Sequence, residues 1–244
     1  MFRHVERGRT YRHNIKLAGL LSFIAGMVNI CGVLSVGTLT TNVTGHFAFF
    51  AEQLQHSAYN QALTFLLYIL AFFLGSFLSS FTTELSLSRG YKGAHIGPMA
   101  SEIAILLALG LAADDMLLAG VSGMVIALLL LFAMGLQNAL VTRVSKSVVR
   151  TTHLTGLFTD LGMELSQLLF YKKKEQQEKL MRSVNLKLVI IFSFFAGCIV
   201  GGFLYNTLTL GTLAAAAGLL AVALAYDTLK FRYYRLRRGR RLRA

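Results

Sequence analysis

Thr40–Gly45 reads TTNVTG, and a near copy, TTHLTG, stands at Thr151–Gly156, 111 residues further along. Each phrase ends where an apolar run begins. Threonine hydroxyls at such a junction suit the capping of free backbone amides, so Thr40, Thr41, Thr44, Thr151, Thr152 and Thr155 read as cap candidates. Gly45 and Gly156 allow a turn and the close approach of a neighbouring helix. From Thr44 to Gln55 about 12 residues of helix rise about 18 Å, which reaches part-way into a bilayer of about 30 Å and returns no further than the surface it left. The phrase, used twice, therefore predicts two re-entrant helices.

The surroundings support a bilayer. The chain has 244 residues, 55% of them hydrophobic and 14% charged, against about 25% charged in an ordinary soluble domain. Eight apolar segments can be read: Leu17 to Gly37, Thr44 to Gln55, Asn60 to Thr83, Ile96 to Ala113, Leu117 to Ala139, Thr155 to Tyr171, Leu186 to Tyr205 and Thr207 to Leu229. Period-two alternation, which a transmembrane barrel needs, is absent. The expected fold class is an all-α polytopic membrane helix bundle. The net charge of +13 does not point to nucleic acid, because the basic residues sit in short blocks beside apolar runs, as in cytoplasmic loops.

The phrase is one of three landmarks that recur in order. GMVN (Gly26–Asn29) precedes the first copy and GLQN (Gly135–Asn138) the second; FFLGS (Phe72–Ser76) follows the first and FFAGC (Phe194–Cys198) the second. The chain thus reads as a single membrane domain, 1–244, of two repeats, 17–113 and 117–229, joined near Asp114–Asp115 and followed by a basic tail at 230–244. Charge selects the topology. If all eight segments cross, Arg89, Lys92, Arg143, Lys146 and Arg150 face outward. If the two short segments enter and return, six segments cross, all 24 Lys and Arg fall on the cytoplasmic side, and both termini are cytoplasmic. The two repeats are then inverted, a design that recurs in transporters with interrupted helices.

On this reading the two re-entrant helix starts point their amides at a shared polar cavity from opposite sides. Such ends favour anions or electron-rich groups of polar solutes. The candidate solute-binding residues are Asn29, Thr41, Asn42, Thr44, Gly45, His46, Asn138, Thr152, His153, Thr155, Gly156 and Asp160. His46 and His153 add a proton-sensitive element or, more plainly, a structural donor. Asn29 and Asn138 bridge spans or touch solute. Asp160 and Glu164, one turn apart, line an inner vestibule or are simply solvated, and Glu52 is the outer counterpart. Arg143 reads as a topology-setting charge or as an anion contact. The threonine phrases themselves either contact solute or only stabilise the re-entrant turns.

The stretches AGMVNICGVLSVGTLTTNVTGHFAFFAEQL, residues 25–54, and FAMGLQNALVTRVSKSVVRTTHLTGLFTDLG, residues 132–162, resemble the two signature regions of the YoaK family of bacterial integral membrane proteins, a domain of unknown function. The resemblance implies a helical fold and a place in the bacterial cell (inner) membrane, multi-pass. It supplies no reaction and no substrate. The family usually reads Thr-Gly-Asn where this chain has Thr44-Gly45-His46, and an aspartate is common in the family where Asn29 stands.

The expected function is a transporter or channel-like protein for a small polar or anionic solute. The alternative is a membrane accessory or sensor protein that binds a partner or lipid without transport. An enzyme is not expected: zinc spacing, a nucleophile elbow and a P-loop are missing from the sequence, and no cofactor or metal is implied. The expected partners are the lipid bilayer and the solute, with no nucleic acid; glycine-bearing faces on the third and seventh segments suit a homodimer.

Overall fold

The computed structural model describes residues 11–91, 93–145 and 149–241, with side chains described except at 12, 13, 113 and 230–241. Arg3, Arg7, Arg9, Lys92, Lys146 and the side chains of Arg12 and of the basic tail lie outside the described residues.

Among the described residues eight α-helices follow one another: α1 Tyr11–Val36, α2 Val43–Gln55, α3 Tyr59–Ser88, α4 Ile96–Leu118, α5 Gly123–Val144, α6 Leu154–Phe170, α7 Lys174–Leu208 and α8 Thr212–Arg241. Among the described residues there are no strands. Four stretches of the described residues are long and apolar enough to cross a membrane: Asn14–Val36, Tyr59–Ser88, Gly123–Val144 and Lys174–Leu229. The last holds 56 residues, about 84 Å if it were one helix. It is broken at Thr209, whose backbone takes φ 47° and ψ −131°, and whose hydroxyl donates to the Asp114 carboxylate. The single proline, Pro98, sits in the first turn of α4, where a missing N–H costs no intrahelical bond. The junction expected at Asp114–Asp115 is displaced: α4 continues to Leu118, and the chain turns at residues 119–122.

The helices pack chiefly across the two halves of the chain. α1 lies on α7, α3 on α5, and α4 on α8, while α1 also touches α5 and α8. Glycines make two of these seams possible. A Cβ on Gly26 of α1 would collide with the Phe194 carbonyl of α7, and one on Gly197 of α7 with the Phe23 carbonyl of α1. The second seam repeats the arrangement: Gly75 of α3 lies under the Phe132 carbonyl of α5, and Gly135 of α5 under the Phe72 carbonyl of α3. Small residues let backbones meet where lipid offers no hydrophobic drive between helices. Cα–H···O contacts at such crossings contribute about 0.5–1 kcal/mol each.

Contacts also give helix directions. Gly19 meets Val189 and Ser193, and Gly201 meets Met27 and Ile30, so α1 and α7 run parallel. Thr64 approaches Met124 and Ser76 donates to the Gly135 carbonyl, 3.2 Å, so α3 and α5 run parallel. Between α1 and α5 the order reverses: the Gln137 amide donates to the Leu21 carbonyl, 2.9 Å, whereas Gly123 meets Val36. α4 and α8 are likewise antiparallel, with His95 beside Asp227 and Gly110 against Ala214. It follows that α1 ends at the end of the bundle where α3 begins, and α5 ends where α7 begins. α2 and α6 each leave and rejoin the same end.

The core comprises Leu17, Leu21, Ile24, Met27, Leu106, Ile126, Leu130, Met134 and Leu213, among others, all buried. The outside of α3 is the reverse, with Phe73, Phe77 and Phe81 exposed and stacked along it. An apolar surface of this extent belongs against lipid rather than water. The chain is thus built as a helical membrane protein. Every described Lys and Arg lies toward one end of the bundle, that of the α1, α4 and α7 N-termini and the α3 and α5 C-termini.

Candidate functional site

The two threonine phrases are each pinned by the matching asparagine. At the first, the Thr41 hydroxyl donates to Asn29 Oδ1 at 3.0 Å. At the second, Asn138 Nδ2 donates to the Thr152 hydroxyl, and the Thr151 hydroxyl donates to Asn138 Oδ1 at 3.3 Å. The amide of each span therefore holds the irregular backbone that follows it.

Capping differs from expectation. None of the threonines expected to cap does so: Thr41, Thr151 and Thr152 are bonded to the asparagines, Thr44 and Thr155 are exposed, and Thr40 is buried with its hydroxyl unpartnered. The N-cap of α2 is Asn42, whose Oδ1 accepts from the Gly45 amide at 3.1 Å. The N-cap of α6 is His153, which makes no side-chain cap bond. The repeated glycines now have a local reason. A Cβ on Gly45 would press on the Asn42 side chain, and one on Gly156 on the His153 ring. Each glycine clears space for the cap residue three positions before it.

His46 lies in the first turn of α2 and is 3% exposed. Its Nε2 is 2.8 Å from the Leu39 carbonyl, so that nitrogen carries the proton, and its ring packs on Phe65 and Tyr68. This ties α2 to α3. Thr44, Thr155 and Asp160 are exposed. Glu164 turns onto α7, where its Oε1 accepts from Lys187 Nζ and from Ser183 Oγ, each at 2.7 Å; it fastens α6 rather than lining a vestibule.

The second phrase borders an open cavity of about 640 Å³ lined by Ser76, Ser80, Asn138, Ala139, Thr142, Arg143, Arg150 and His153. α3 supplies the two serines, α5 the next four residues, and the segment before α6 the last two. Arg143 is ion-paired with Glu84. Arg150 is exposed and has no ion pair among the described residues. The cavity wall thus carries an uncompensated positive charge, a histidine, an amide and three hydroxyls. The uncapped start of α6 adjoins it at His153, and its first amides add partial positive charge.

The structure does not bring both helix starts to one hollow. α2 packs on α3, α6 packs on α7, and α2 and α6 share no contact among the described residues. Leu21 is level with Gln137, so Asn29 stands about 12 Å beyond Asn138 along the α1–α5 seam. Buried Ile24, Ala25, Val28, Leu130, Ala133 and Met134 fill the interval. The reason is packing: α1 and α5 are the most buried of the apolar spans, and their facing sides close the middle. Asn29, Thr41, Asn42, Thr44, Gly45 and His46 form one group; Asn138, Thr152, His153, Thr155 and Gly156 form the other. In the first half Leu34 and Leu39 hold the positions that Arg143 and Arg150 hold in the second, counted from the asparagine and from the phrase.

Ser76, Ser80 and Thr142 were not singled out in the sequence. Ser76 lies within the FFLGS landmark, which was the available signal; nothing distinguished the other two from ordinary span hydroxyls.

A family model described as "Protein of unknown function (DUF1275)" matches residues 17–226. This is in keeping with the resemblance drawn from the two signature stretches. No curated protein and no solved structure matches the chain.

Proposed function

The chain belongs to this DUF1275 family of unknown function, and from that membership and the geometry above we propose that it is an integral membrane transporter for a small anionic or polar solute. The observation that carries the reading is the cavity at the second phrase, where Arg143, Arg150 and the uncapped start of α6 converge beside Asn138 and His153. A small anion is recognised by such a set through charge-assisted hydrogen bonds and helix-end amides.

The same proposal includes topology: six crossings by α1, α3, α4, α5, α7 and α8, two inverted repeats, and both termini in the cytoplasm of a bacterial cell. The antiparallel run of α1 and α5, the return of α2 and α6 to the ends they left, and the gathering of Lys and Arg at one end support it. The cavity then opens to the cytoplasm, while the layer between Asn29 and Asn138 closes the path to the outside. That is the arrangement of a carrier open on one side, not of a continuous pore.

The test is flux of nitrate and of inorganic phosphate into liposomes holding the purified protein. Arg143→Gln and Arg150→Gln are expected to lower flux about tenfold each, the effect of losing one charge-assisted bond to the solute. Thr44→Val, on exposed α2 surface away from the cavity, is expected to leave it unchanged. Absence of flux for both anions, or full flux in both arginine variants, refutes the reading.

A further inference from the structure

Along α4, His95, Met99, Glu102 and Leu106 share one face and are all buried, at 4%, 1%, 1% and 0% exposure. Glu102 is the acid of an otherwise apolar stretch, and its Oε1 meets no hydrogen-bond partner. His95 Nε2 stands 3.8 Å from Asp227 Oδ2 of α8, with Asp227 also 4% exposed. Two turns, about 10.5 Å of rise, separate this pair from Glu102. The seam between α4 and α8 therefore holds three buried titratable groups that the solute cavity does not use.

The surroundings of Glu102 decide its state. The elements packed on α4 are α3, α5, α8 and the single turn at Thr209–Gly211. Their charged residues with described side chains are Glu84, Arg143 and Asp227. Glu84 and Arg143 pair with each other, and Asp227 faces His95. On α4 itself Asp114 accepts from Thr209 at the far end, and Asp115 lies beside it, more than three turns away. Among the described side chains of these elements no cation pairs with Glu102. A carboxylate stripped of water and given no partner neutralises instead. No group of three or more His, Cys, Asp or Glu side chains that could hold a metal ion occurs among the described residues.

We propose that Glu102 is a buried proton-binding site, protonated in this conformation, with the His95–Asp227 pair between it and the cytoplasmic end, and that it couples solute movement to a proton. An intramembrane acid facing the bundle interior is the usual element of a proton relay. The step is a proton transfer only: carboxylate and hydronium give carboxylic acid and water on loading, and the reverse on release. No electron moves and no co-reactant is needed. The coupling rests on the transporter reading; the proton site does not.

Two measurements separate these. Difference infrared spectroscopy of the protein in liposomes reads the carbonyl stretch of a protonated carboxyl directly. It is expected in the wild type at neutral pH, lost in Glu102→Gln, and shifted but present in Glu102→Asp. Its absence from the wild type, or its persistence in Glu102→Gln, overturns the site. The second measurement is nitrate accumulation driven by an imposed pH gradient; nitrate carries no proton of its own. Glu102→Gln, isosteric with the acid form, is expected to retain nitrate exchange at equal pH and to lose gradient-driven accumulation at least tenfold. Equal accumulation in wild type and variant overturns the coupling. A wild type that moves neither nitrate nor phosphate refutes the transporter reading and the coupling with it, while the infrared band still decides the proton site.

Discussion

Replacing Asn138 by alanine removes the two hydrogen bonds that hold the second phrase, to Thr151 and to Thr152. Hydrogen bonds between side chains within membranes average about 0.6 kcal/mol each, so the pair contributes about 1.2 kcal/mol. Thr151 is 0% exposed, and stranding its hydroxyl adds about 1–2 kcal/mol. Asn138→Ala should therefore cost about 2–3 kcal/mol. Asn29→Ala removes one bond, to Thr41, which is only half-buried and keeps access to other partners. Its cost should stay below about 1 kcal/mol on the same reasoning. The assay is reversible unfolding by a denaturing detergent in mixed micelles. A double-mutant cycle with Thr151→Val should return a coupling of about 1 kcal/mol, because the second mutation removes the stranded hydroxyl. Equal losses for the two asparagines, or a larger one for Asn29, would refute the argument that Asn138 anchors the second phrase more firmly than Asn29 anchors the first.

Gly26→Ala and Gly135→Ala each force a Cβ into a facing backbone carbonyl and should destabilise by about 1–3 kcal/mol, as overpacking does. Gly162→Ala, in open space on α6, should instead stabilise by about 0.5–1 kcal/mol; the same unfolding assay reads all three. Glu164→Gln leaves Lys187, 12% exposed, without its counter-charge and should loosen α6 from α7, seen as faster proteolysis near residues 171–173 and a loss of about 2 kcal/mol, discounted from the figure for a fully buried pair. Cysteines introduced singly at Ser57 and Lys173 should react with a membrane-impermeant reagent from the outside and the inside respectively; labelling of both from one side of intact cells would defeat the six-crossing topology.

The helices themselves were legible because length and apolarity suffice to mark a span, and all eight segments read from the sequence correspond to helices. Partnership was not. Nothing in GMVN states that Gly26 meets α7, since a glycine serves equally in a turn or beneath a carbonyl. The cap of α2 was misread because Thr and Asn are interchangeable at that position and only the backbone path decides which side chain reaches the Gly45 amide. Asp114 and Asp115 looked like a loop, yet α4 continues through them, with Asp114 engaged by Thr209. Glu102 was passed over because one acid among leucines barely alters an apolar average, and its isolation appears only once α8 is laid beside α4. The cavity could not be seen at all, as it depends on how residues 149–153 fold back over α3 and α5.

The crossed pairing of α1 with α7 and of α3 with α5 bears on how the molecule is made. The ribosome delivers α1 and α3 before the helices that cover their glycines exist, and neither half holds its own complement. Until the second four helices are made, the glycines of α1 and α3 lack the backbones they pack against. Two separately expressed halves should therefore recover the native form only when both are present in the same membrane.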